Sequence, residues 1–339
     1  MRSISLRLRA VVLAAGAAVL SSHAFADSTF YQGKTITLIV GFAPGGGVDL
    51  AGRAMGRHLQ RFITGNPNIV VQNMPGASGL LAANHIAQRT NPDGLTIGVP
   101  GRSWHIEAIT GHQGAHFDAT KLSYVGSTGV VNSMAWVHRD TRLRSFDDLV
   151  VAKEPIVVGS LGPGSPTSTI PNLFAATGVP LKVVTGYRST SDMVLALERG
   201  EIQSVFTTAD SFARRKDLVE NKIVVPLLQT KPELEGVPLE REKLPENYRA
   251  LLDLARSGDS LGLMVVGPPN LPMERLEALQ GAFLKMSADP TYQEELAKVD
   301  SSRSTPLSGE EVLKAVSELK ESTTADVIVA FEKLKKGSR

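Results

Sequence analysis

Short apolar runs alternate with amphipathic stretches along most of the chain. Thr35 to Val40, Asn68 to Gln72 and Leu95 to Val99 each predict a strand, because apolar and β-branched residues dominate these segments. Leu80 to Gln88 predicts a helix. Another helix is predicted by apolar residues that recur at the spacing of one helical face, namely Leu50, Ala54, Met55, Leu59 and Phe62.

The same alternation returns in the middle of the chain. Ile156 to Val158, Leu181 to Val184 and Ile202 to Phe206 predict strands, and helix-forming stretches separate them. Ser189, with Asp192 three residues later, is typical of a helix N-terminus. Strands that alternate with helices in this way indicate parallel sheets built from βα units.

The C-terminal third is predicted to be mostly helical. Pro272 to Met286 predicts one helix, and Ser308 with Glu311 has the spacing of a capping box at the start of the last helix. The proline-containing stretch from Lys231 to Pro245 predicts a long surface loop. We expect the tail, Lys335 to Arg339, to be frayed.

The first 26 residues have the organisation of a secretory signal peptide. Met1 to Arg9 is basic, Ala10 to Leu20 is apolar, and Ser21 to Ala26 ends in Ala-Phe-Ala. The apolar run is much shorter than the roughly 20 residues that span a bilayer. We therefore predict cleavage after Ala26 and a soluble mature protein in the periplasm; an uncleaved membrane anchor is the alternative.

Composition removes several classes of chemistry. The chain has 339 residues and no cysteine, which excludes disulfides, thiolate metal sites and a catalytic thiol. Its net charge is +2, and Arg2, Arg7 and Arg9 supply three positive charges, so the chain from Asp27 onward carries −1. A nearly neutral body with mixed signs has no electrostatic footprint for nucleic acid.

Glycine- and serine-rich loops follow four of the predicted strands: Gly41 to Asp49, Pro100 to Ser103, Gly159 to Thr167, and Thr185 to Ser189. In open α/β sheets, ligands bind beyond the carboxyl ends of the strands. Helix N-termini at these ends offer backbone N–H groups and a positive dipole end, which suit anions. The loops indicate two similar domains that face a shared cleft, although each loop alone is also compatible with a plain βα turn.

Nucleotide and hydrolase motifs are missing. Gly47 is followed by Val48 and Asp49, whereas a P-loop requires Lys and Ser or Thr, and the first loop lacks the dinucleotide spacing. Ser160 does not lie in a G-x-S-x-G elbow. His105, Glu107, His112 and His116 lack the spacing of a zinc site, which favours loop histidines over a metal centre.

Charged residues in the loops have two interpretations each. Asp49 either provides helix N-terminal charge and capping, or orients loop amides or accepts a ligand donor. Arg102 and Arg188 are surface arginines or carboxylate ligands, because a guanidinium can bind a carboxylate with two parallel hydrogen bonds. Trp104 and Tyr187, beside them, either wall a pocket or serve ordinary packing.

Several blocks of sequence together resemble the substrate-binding receptors of tripartite tricarboxylate transporters, the Bug family. The first block is Tyr31 to Asp49, which contains Gly41-Phe-Ala-Pro-Gly-Gly-Gly; the next are Val71 to Gly79 and Pro92 to Gly98. Gly159 to Ser165 resembles the family's second-domain loop. The similarity extends from about Phe30 to the last predicted helix.

The resemblance implies a two-lobed periplasmic solute-binding protein, a type II clamshell of the α/β class. Each lobe would be a sheet flanked by helices, joined by hinge strands. After a signal peptide at residues 1–26, the first domain would comprise residues 27–126 plus 263–339, and the second residues 127–262. The ligand would lie in the cleft between the lobes.

The resemblance also implies which loops bind the ligand, and within them we select candidate residues. They are Ala43, Gly45, Gly46, Gly47, Asp49, Ser78, Arg102, Ser103, Ser160, Gly164, Ser165, Thr167, Thr185 and Arg188. The chain departs from the commonest family pattern at Arg102, at Pro166 to Ser168 and at Gly186 to Ser189. These departures affect the expected ligand more than the expected fold.

Known members of the family bind small organic acids and deliver them to a two-component permease. The resemblance therefore implies a receptor that captures a small carboxylate without transforming it, with membrane permease subunits as partners. We expect no catalytic residues, no metal and no cofactor. A receptor that signals to a membrane sensor kinase and, less favoured, a secreted enzyme using the same cleft are the alternatives.

Overall fold

The computed structural model describes residues 30–162, 164–187, 189–212, 215–298 and 305–336. The predicted signal peptide with its cleavage point after Ala26 therefore lies outside the described residues, as does Arg188. Within the described ranges, no helix combines the length and the apolar character needed to cross a membrane.

Eleven described strands form two sheets, and we call the first sheet, with the helices that pack on it, lobe 1. Its strands, in spatial order β11-β4-β10-β3-β1-β2, are β1 (Thr35–Val40), β2 (Asn68–Asn73), β3 (Thr96–Val99), β4 (Ser123–Ser127), β10 (Met264–Gly267) and β11 (Leu307–Ser308). β1 pairs in parallel with β2 and β3, whereas β10 runs antiparallel between β3 and β4. The predicted strands of this half are confirmed.

The second sheet, which with the helices that pack on it we call lobe 2, has the spatial order β7-β6-β8-β5-β9. Its strands are β5 (Ser133–His138), β6 (Ile156–Ser160), β7 (Leu181–Thr185), β8 (Ser204–Thr208) and β9 (Val224–Gln229). β6 is parallel to β7 and β8, while β5 is antiparallel to β8 and β9. The predicted α/β class with two helix-flanked sheets is thus confirmed. The expectation of parallel sheets is only partly correct, because β10 and β5 run antiparallel to their neighbours.

Helices cover both sheets. They are α1 (Gly47–Leu59), α2 (Leu80–Arg89), α3 (Trp104–Ile109), α4 (Phe146–Val150), α5 (Pro166–Ala176), α6 (Thr190–Glu198), α7 (Lys216–Glu220), α8 (Arg249–Leu261), α9 (Met273–Ala288), α10 (Pro290–Ala297), α11 (Gly309–Ser322) and α12 (Ala325–Lys336). The predicted caps form: Ser189 accepts a hydrogen bond from the Asp192 N–H, and Ser308 and Glu311 make a capping box. Local sequence therefore defines these helix starts.

Two crossing segments join the lobes. One leads from β4 to β5 and the other from α8 to β10, and they are held together where the Thr128 N–H donates to the Leu263 carbonyl at 3.1 Å. Gly262 has φ +64°, and a methyl group there would lie 2.2 Å from the Gly129 carbonyl oxygen. Only glycine fits such a crossing. The domain boundaries at 126/127 and 262/263, which fall close to these segments, remain a prediction.

The C-terminal segment differs from the expectation in two ways. The helix that Ser308 caps is not the last one, because α12 follows it. Lys335 and Lys336, expected to be frayed, are the end of α12, and the Lys335 side chain is only 14% exposed. α11 packs on β4 of lobe 1, whereas α12 packs on α5 and α8, so the chain returns towards lobe 2 at its end.

Candidate functional site

Three lobe 1 loops meet at the carboxyl ends of β1, β2 and β3. A methyl group added to Gly41 would lie 2.1 Å from the Pro100 carbonyl oxygen, and one added to Gly79 would lie 1.8 Å from it. Backbone therefore packs directly on backbone where the loops leave the sheet, and Gly79 also has φ +94°. Side chains larger than hydrogen would separate the loops.

Asp49 anchors the first loop from behind. Its side chain is 1% exposed, and its oxygens accept hydrogen bonds from the Gly45 N–H (2.8 Å), Arg53 Nε (2.9 Å) and Asn73 Nδ2 (2.7 Å). Asn73 Nδ2 also donates to the Phe42 carbonyl. Two of the interpretations left open by the sequence hold: Asp49 places a negative charge in the first turn of α1, and its carboxylate orients the Gly45 amide of the loop.

The charge of Asp49 is stabilised in this position. Burial by itself would raise the pKa of the carboxyl group, but the hydrogen bonds from Arg53, Asn73 and the Gly45 N–H outweigh it and hold the pKa below its ordinary value. The carboxylate is thus committed to internal partners.

The first loop exposes backbone at the start of α1. Ala43, Gly45, Gly46 and Gly47 are exposed, and Gly46 is the N-cap without a side-chain cap. The first N–H groups of a helix have no acceptor within the helix, and they lie at its positive dipole end. Ser78, in the second loop, is also exposed and has φ +54°, an uncommon conformation for a residue with a side chain.

The third lobe 1 loop rests on α8. A methyl group at Gly258 would lie 2.5 Å from the Arg102 carbonyl oxygen and 3.1 Å from Ser103 Oγ. The side chains of Arg102 and Ser103 are both partly exposed, and Ser103 is the N-cap residue of α3. Because α8 leads into the crossing segment, this loop joins the candidate site to the connection between the lobes.

Hydroxyl groups organise the first lobe 2 loop. Thr167 Oγ1 lies 3.1 Å from Ser160 Oγ and 2.8 Å from Ser165 Oγ, and it accepts a hydrogen bond from the Leu161 N–H at 3.1 Å. Ser160 and Thr167 are buried, whereas Ser165 is partly exposed. Thr167, the second residue of α5, thus links the hydroxyls of Ser160 and Ser165 at the start of this helix.

The lobe 2 loop that follows β7 is hydrogen-bonded to Ser160, at the end of β6. The N–H groups of Gly186 and Tyr187 both donate to the Ser160 carbonyl, at 3.2 and 3.3 Å. Thr185, which pairs with Ser160 in the sheet register, is exposed. The candidate residues Thr185, Ser160, Ser165 and Thr167 therefore lie around the carboxyl ends of adjacent parallel strands.

The first lobe 2 loop lies close to helix α3 of lobe 1. A methyl group at Gly164, which has φ +80°, would lie 3.8 Å from the Glu107 carboxylate on α3. Because α3 begins directly after the Pro100–Ser103 loop, the third loop of lobe 1 and the first loop of lobe 2 flank the same region.

Sequence reasoning missed a third group of lobe 2 hydroxyls. Thr207 and Thr208 end β8, and their Oγ1 atoms lie 2.7 and 3.2 Å from Ser211 Oγ. β8 is the parallel neighbour of β6, so these hydroxyls lie at the same edge of the sheet as Ser160. In the sequence, these hydroxyls could have been found from the two consecutive threonines that directly follow the predicted strand from Ile202 to Phe206.

The histidine-rich segment has a packing role at its start. His105 is fully buried in α3, where its Nε2 lies 2.9 Å from Ser257 Oγ, and burial lowers its pKa to about 3. The expectation of loop histidines is therefore wrong for His105, which is helical, and confirmed for His112 and His116. Among the residues described, no group of three or more His, Asp or Glu side chains is placed to hold a metal ion.

Most of the chain matches the sequence profile of a known protein family. The sequence profile of the tripartite tricarboxylate transporter family receptor, TctC, matches residues 59–313. No curated protein sequence matches the chain significantly.

Solved structures with 18–20% sequence identity share the fold. A TctC solute-binding protein from Polaromonas, solved without ligand, has a TM-score of 0.63 at 18% identity and covers 86% of this chain and 98% of its own. MatC from Rhodopseudomonas palustris with bound malate has a TM-score of 0.61 at 18% identity, covering 89% and 99%. An R. palustris protein solved with adipate has a TM-score of 0.61 at 20% identity, covering 89% and 96%.

Proposed function

The chain belongs to the family of tripartite tricarboxylate transporter receptors, and from that premise we propose that it captures a small carboxylate between its lobes and delivers it to a membrane permease. Malate and adipate occupy two similar structures, which supports an organic acid as the ligand. We further propose that the protein acts in the periplasm after cleavage behind Ala26.

The observation that carries this proposal is the placement of the loops. In both lobes they leave the carboxyl ends of parallel strands, where α/β sheets bind ligands. Lobe 1 contributes amides at the start of α1, and lobe 2 contributes the hydroxyls around Thr167. We propose the candidate residues selected from the sequence as the ligand contacts, with Asp49 supporting the first loop instead of touching the ligand.

The chemistry of capture follows from these groups. Backbone N–H groups and hydroxyls can donate hydrogen bonds to a carboxylate, and the guanidinium groups of Arg102 and Arg188 would add charge-assisted hydrogen bonds. Hinge closure about the crossing segments near Gly129 and Gly262 would remove water from the bound acid and strengthen each hydrogen bond. Opening would then expose the acid for release to the permease.

A melting-shift screen tests the proposal. The mature protein, residues 27–339, is heated with malate, adipate, citrate, glutamate and nicotinate in separate samples. A ligand that binds only the folded state at 100 times its Kd stabilises it by about 2.7 kcal/mol, so at least one acid should raise Tm measurably. Ser165→Ala should reduce that shift. A panel without any shift contradicts the proposal.

The periplasmic part of the proposal has its own experiment. The full chain is expressed with its first 26 residues in a Gram-negative host, and the periplasmic fraction is analysed by N-terminal sequencing. A mature N-terminus at Asp27 supports export and cleavage. Protein that begins at Met1 and stays with the membrane contradicts it.

A further inference from the structure

The C-terminal helix reaches the candidate site from the far end of the chain. α12 packs on α5, the helix that begins directly after the Ser160–Ser165 loop. Asn172 Nδ2 of α5 donates to the Leu334 carbonyl at 2.9 Å, and Phe331 and Leu334 are buried. The end of α12 is therefore docked on lobe 2 by both a hydrogen bond and apolar contacts.

Lys335 lies in the last turn of this docked helix, and its charged side chain is partly buried. Its Nζ donates to Glu107 Oε2 at 3.0 Å and to Glu332 Oε1 at 3.0 Å. Burial opposes the charged form, but Glu332 and Glu107 outweigh it and hold the pKa of Lys335 above its ordinary value. His112 Nδ1 also faces Glu107, at 3.7 Å.

The ion pair joins parts of different lobes. Glu107 lies on α3 of lobe 1, while α12 is docked on α5 of lobe 2. Lys335 also borders the ligand loop of lobe 2: a methyl group at Gly164 would lie 3.5 Å from Lys335 Cε and 3.8 Å from Glu107 Oε1. One lysine thus lies between α3 and the Ser160–Ser165 loop.

We infer that Lys335 is a positioning residue: through its ion pair with Glu107 it holds the Ser160–Ser165 loop against lobe 1, and so makes the C-terminal helix part of the ligand-binding machinery. The ligand role rests on the proposed function. The partners are 14% and 20% exposed, so solvent screens this pair less than one at the open surface. Removing the Lys335 charge leaves the partly buried Glu107 carboxylate without its ammonium partner, whereas removing the Glu107 charge leaves Lys335 paired with Glu332 alone.

The binding experiment uses matched variants. Lys335→Met keeps the aliphatic stem and removes the charge, Glu107→Gln removes the other charge, and Lys335→Arg restores a cation. Lys333→Met is the control, because Lys333 is an exposed lysine of the same helix. Kd for malate and for adipate is measured by calorimetry on the mature protein, and denaturant midpoints confirm that each variant is folded.

We expect Lys335→Met and Glu107→Gln each to weaken acid binding about fivefold to tenfold, and Lys333→Met to change it at most about twofold. A double variant that combines Lys335→Met with Glu107→Gln should bind no more weakly than either single variant, because both substitutions remove the same interaction. Lys335→Arg should recover most of the affinity. Binding by Lys335→Met that equals the Lys333→Met control, or fully additive effects of Lys335→Met and Glu107→Gln, overturns the inference.

A ligand-free measurement separates this inference from the proposed function. Amide hydrogen exchange is compared at Leu161, Gly162 and Ser165 in the wild type, Lys335→Met and Lys333→Met. Faster exchange in Lys335→Met alone supports the positioning of the loop, even if no acid on the panel binds. Equal exchange in all three proteins contradicts the positioning, even if the wild type binds an acid.

Discussion

The two lobes place their candidate ligand loops alike but hold them by different means. In lobe 1, backbone packs on backbone at Pro100, and the buried Asp49 carboxylate fixes the Gly45 amide together with Arg53 and Asn73. In lobe 2, the loop before α5 is held by hydroxyls around Thr167, and Gly162 has open space where a side chain would be.

This difference suggests that the two lobes have different roles in ligand binding. A carboxylate with charged and amide donors fixes one geometry, because each partner has a single hydrogen-bonding role there. A hydroxyl can donate or accept and can rotate, so a group of three can rearrange around different acids. We expect lobe 1 to supply the same amides to any carboxylate, and lobe 2 to determine which acid fits.

The largest effect is expected from Gly79→Ala in lobe 1. The new methyl group would lie 1.8 Å from the Pro100 carbonyl oxygen, in a backbone at φ +94° that disfavours side chains. Strain and overpacking together should lower the free energy of unfolding by about 3 kcal/mol or more. Denaturant titration followed by circular dichroism measures the change.

Gly162→Ala in the lobe 2 loop is the matched control, because nothing lies within 4 Å of the place that its methyl group would take and its φ is not positive. It should shift the unfolding free energy by about 0.5 kcal/mol at most. Equal losses for Gly79→Ala and Gly162→Ala would remove the contrast between the lobes.

Asp49→Asn should have the next largest effect. The amide keeps one oxygen for the Gly45 N–H but loses the ion pair with Arg53, whose side chain is 38% exposed and therefore partly screened. We expect a loss of about 2 kcal/mol in unfolding free energy, with faster amide exchange at Gly45 in the ligand-free protein. A fully stable variant with an unchanged Gly45 amide would show that the carboxylate does not hold the loop.

Thr167→Val perturbs lobe 2 by a smaller amount. Valine has the same shape but leaves the Leu161 N–H without its acceptor, which should cost about 1–2 kcal/mol. The more informative result is the ligand profile: the ranking of acids in the melting-shift panel should change for Thr167→Val and stay the same for Asp49→Asn. The reverse pattern would assign selectivity to lobe 1.

The strands that the sequence predicted share a local signal. Thr35 to Val40 carries contiguous β-branched and apolar residues, and it forms β1 with the predicted bounds. β4 (Ser-Tyr-Val-Gly-Ser) and β5 (Ser-Met-Ala-Trp-Val-His) were not predicted, because both faces are buried and small polar residues interrupt any periodicity. β10 inserts between β3 and β4 from a distant part of the chain, which no local pattern encodes.

For the candidate site too, local sequence patterns predicted the loops but not their long-range contacts. The glycine loops could be found because their composition is local, and their positions after β1, β3, β6 and β7 are as predicted. The partner of Asp49 at Asn73 lies 24 residues away, and the partner of Lys335 at Glu107 lies 228 residues away. The expectation of a frayed tail was wrong at Lys335, because one of its two carboxylate partners is distant in sequence.

The smallest expected effect is the acid dependence that Asp49 contributes to lobe 1. Because its folded-state pKa lies below the ordinary value of 3.8, the carboxylate stabilises the fold above the unfolded-state pKa. That contribution is lost as the pH falls through the folded-state pKa. The stability difference between the wild type and Asp49→Asn should therefore be full at pH 7 and shrink below about pH 4.

Other carboxylates with lowered pKa, such as Asp118 and Asp289, titrate in both proteins and cancel in the difference. Thr167→Val removes no titrating group, so its difference from the wild type should stay constant over the same range. Denaturant titrations from pH 3 to pH 7 measure both differences, and an Asp49→Asn difference that grows on acidification would mean that the buried carboxylate opposes folding.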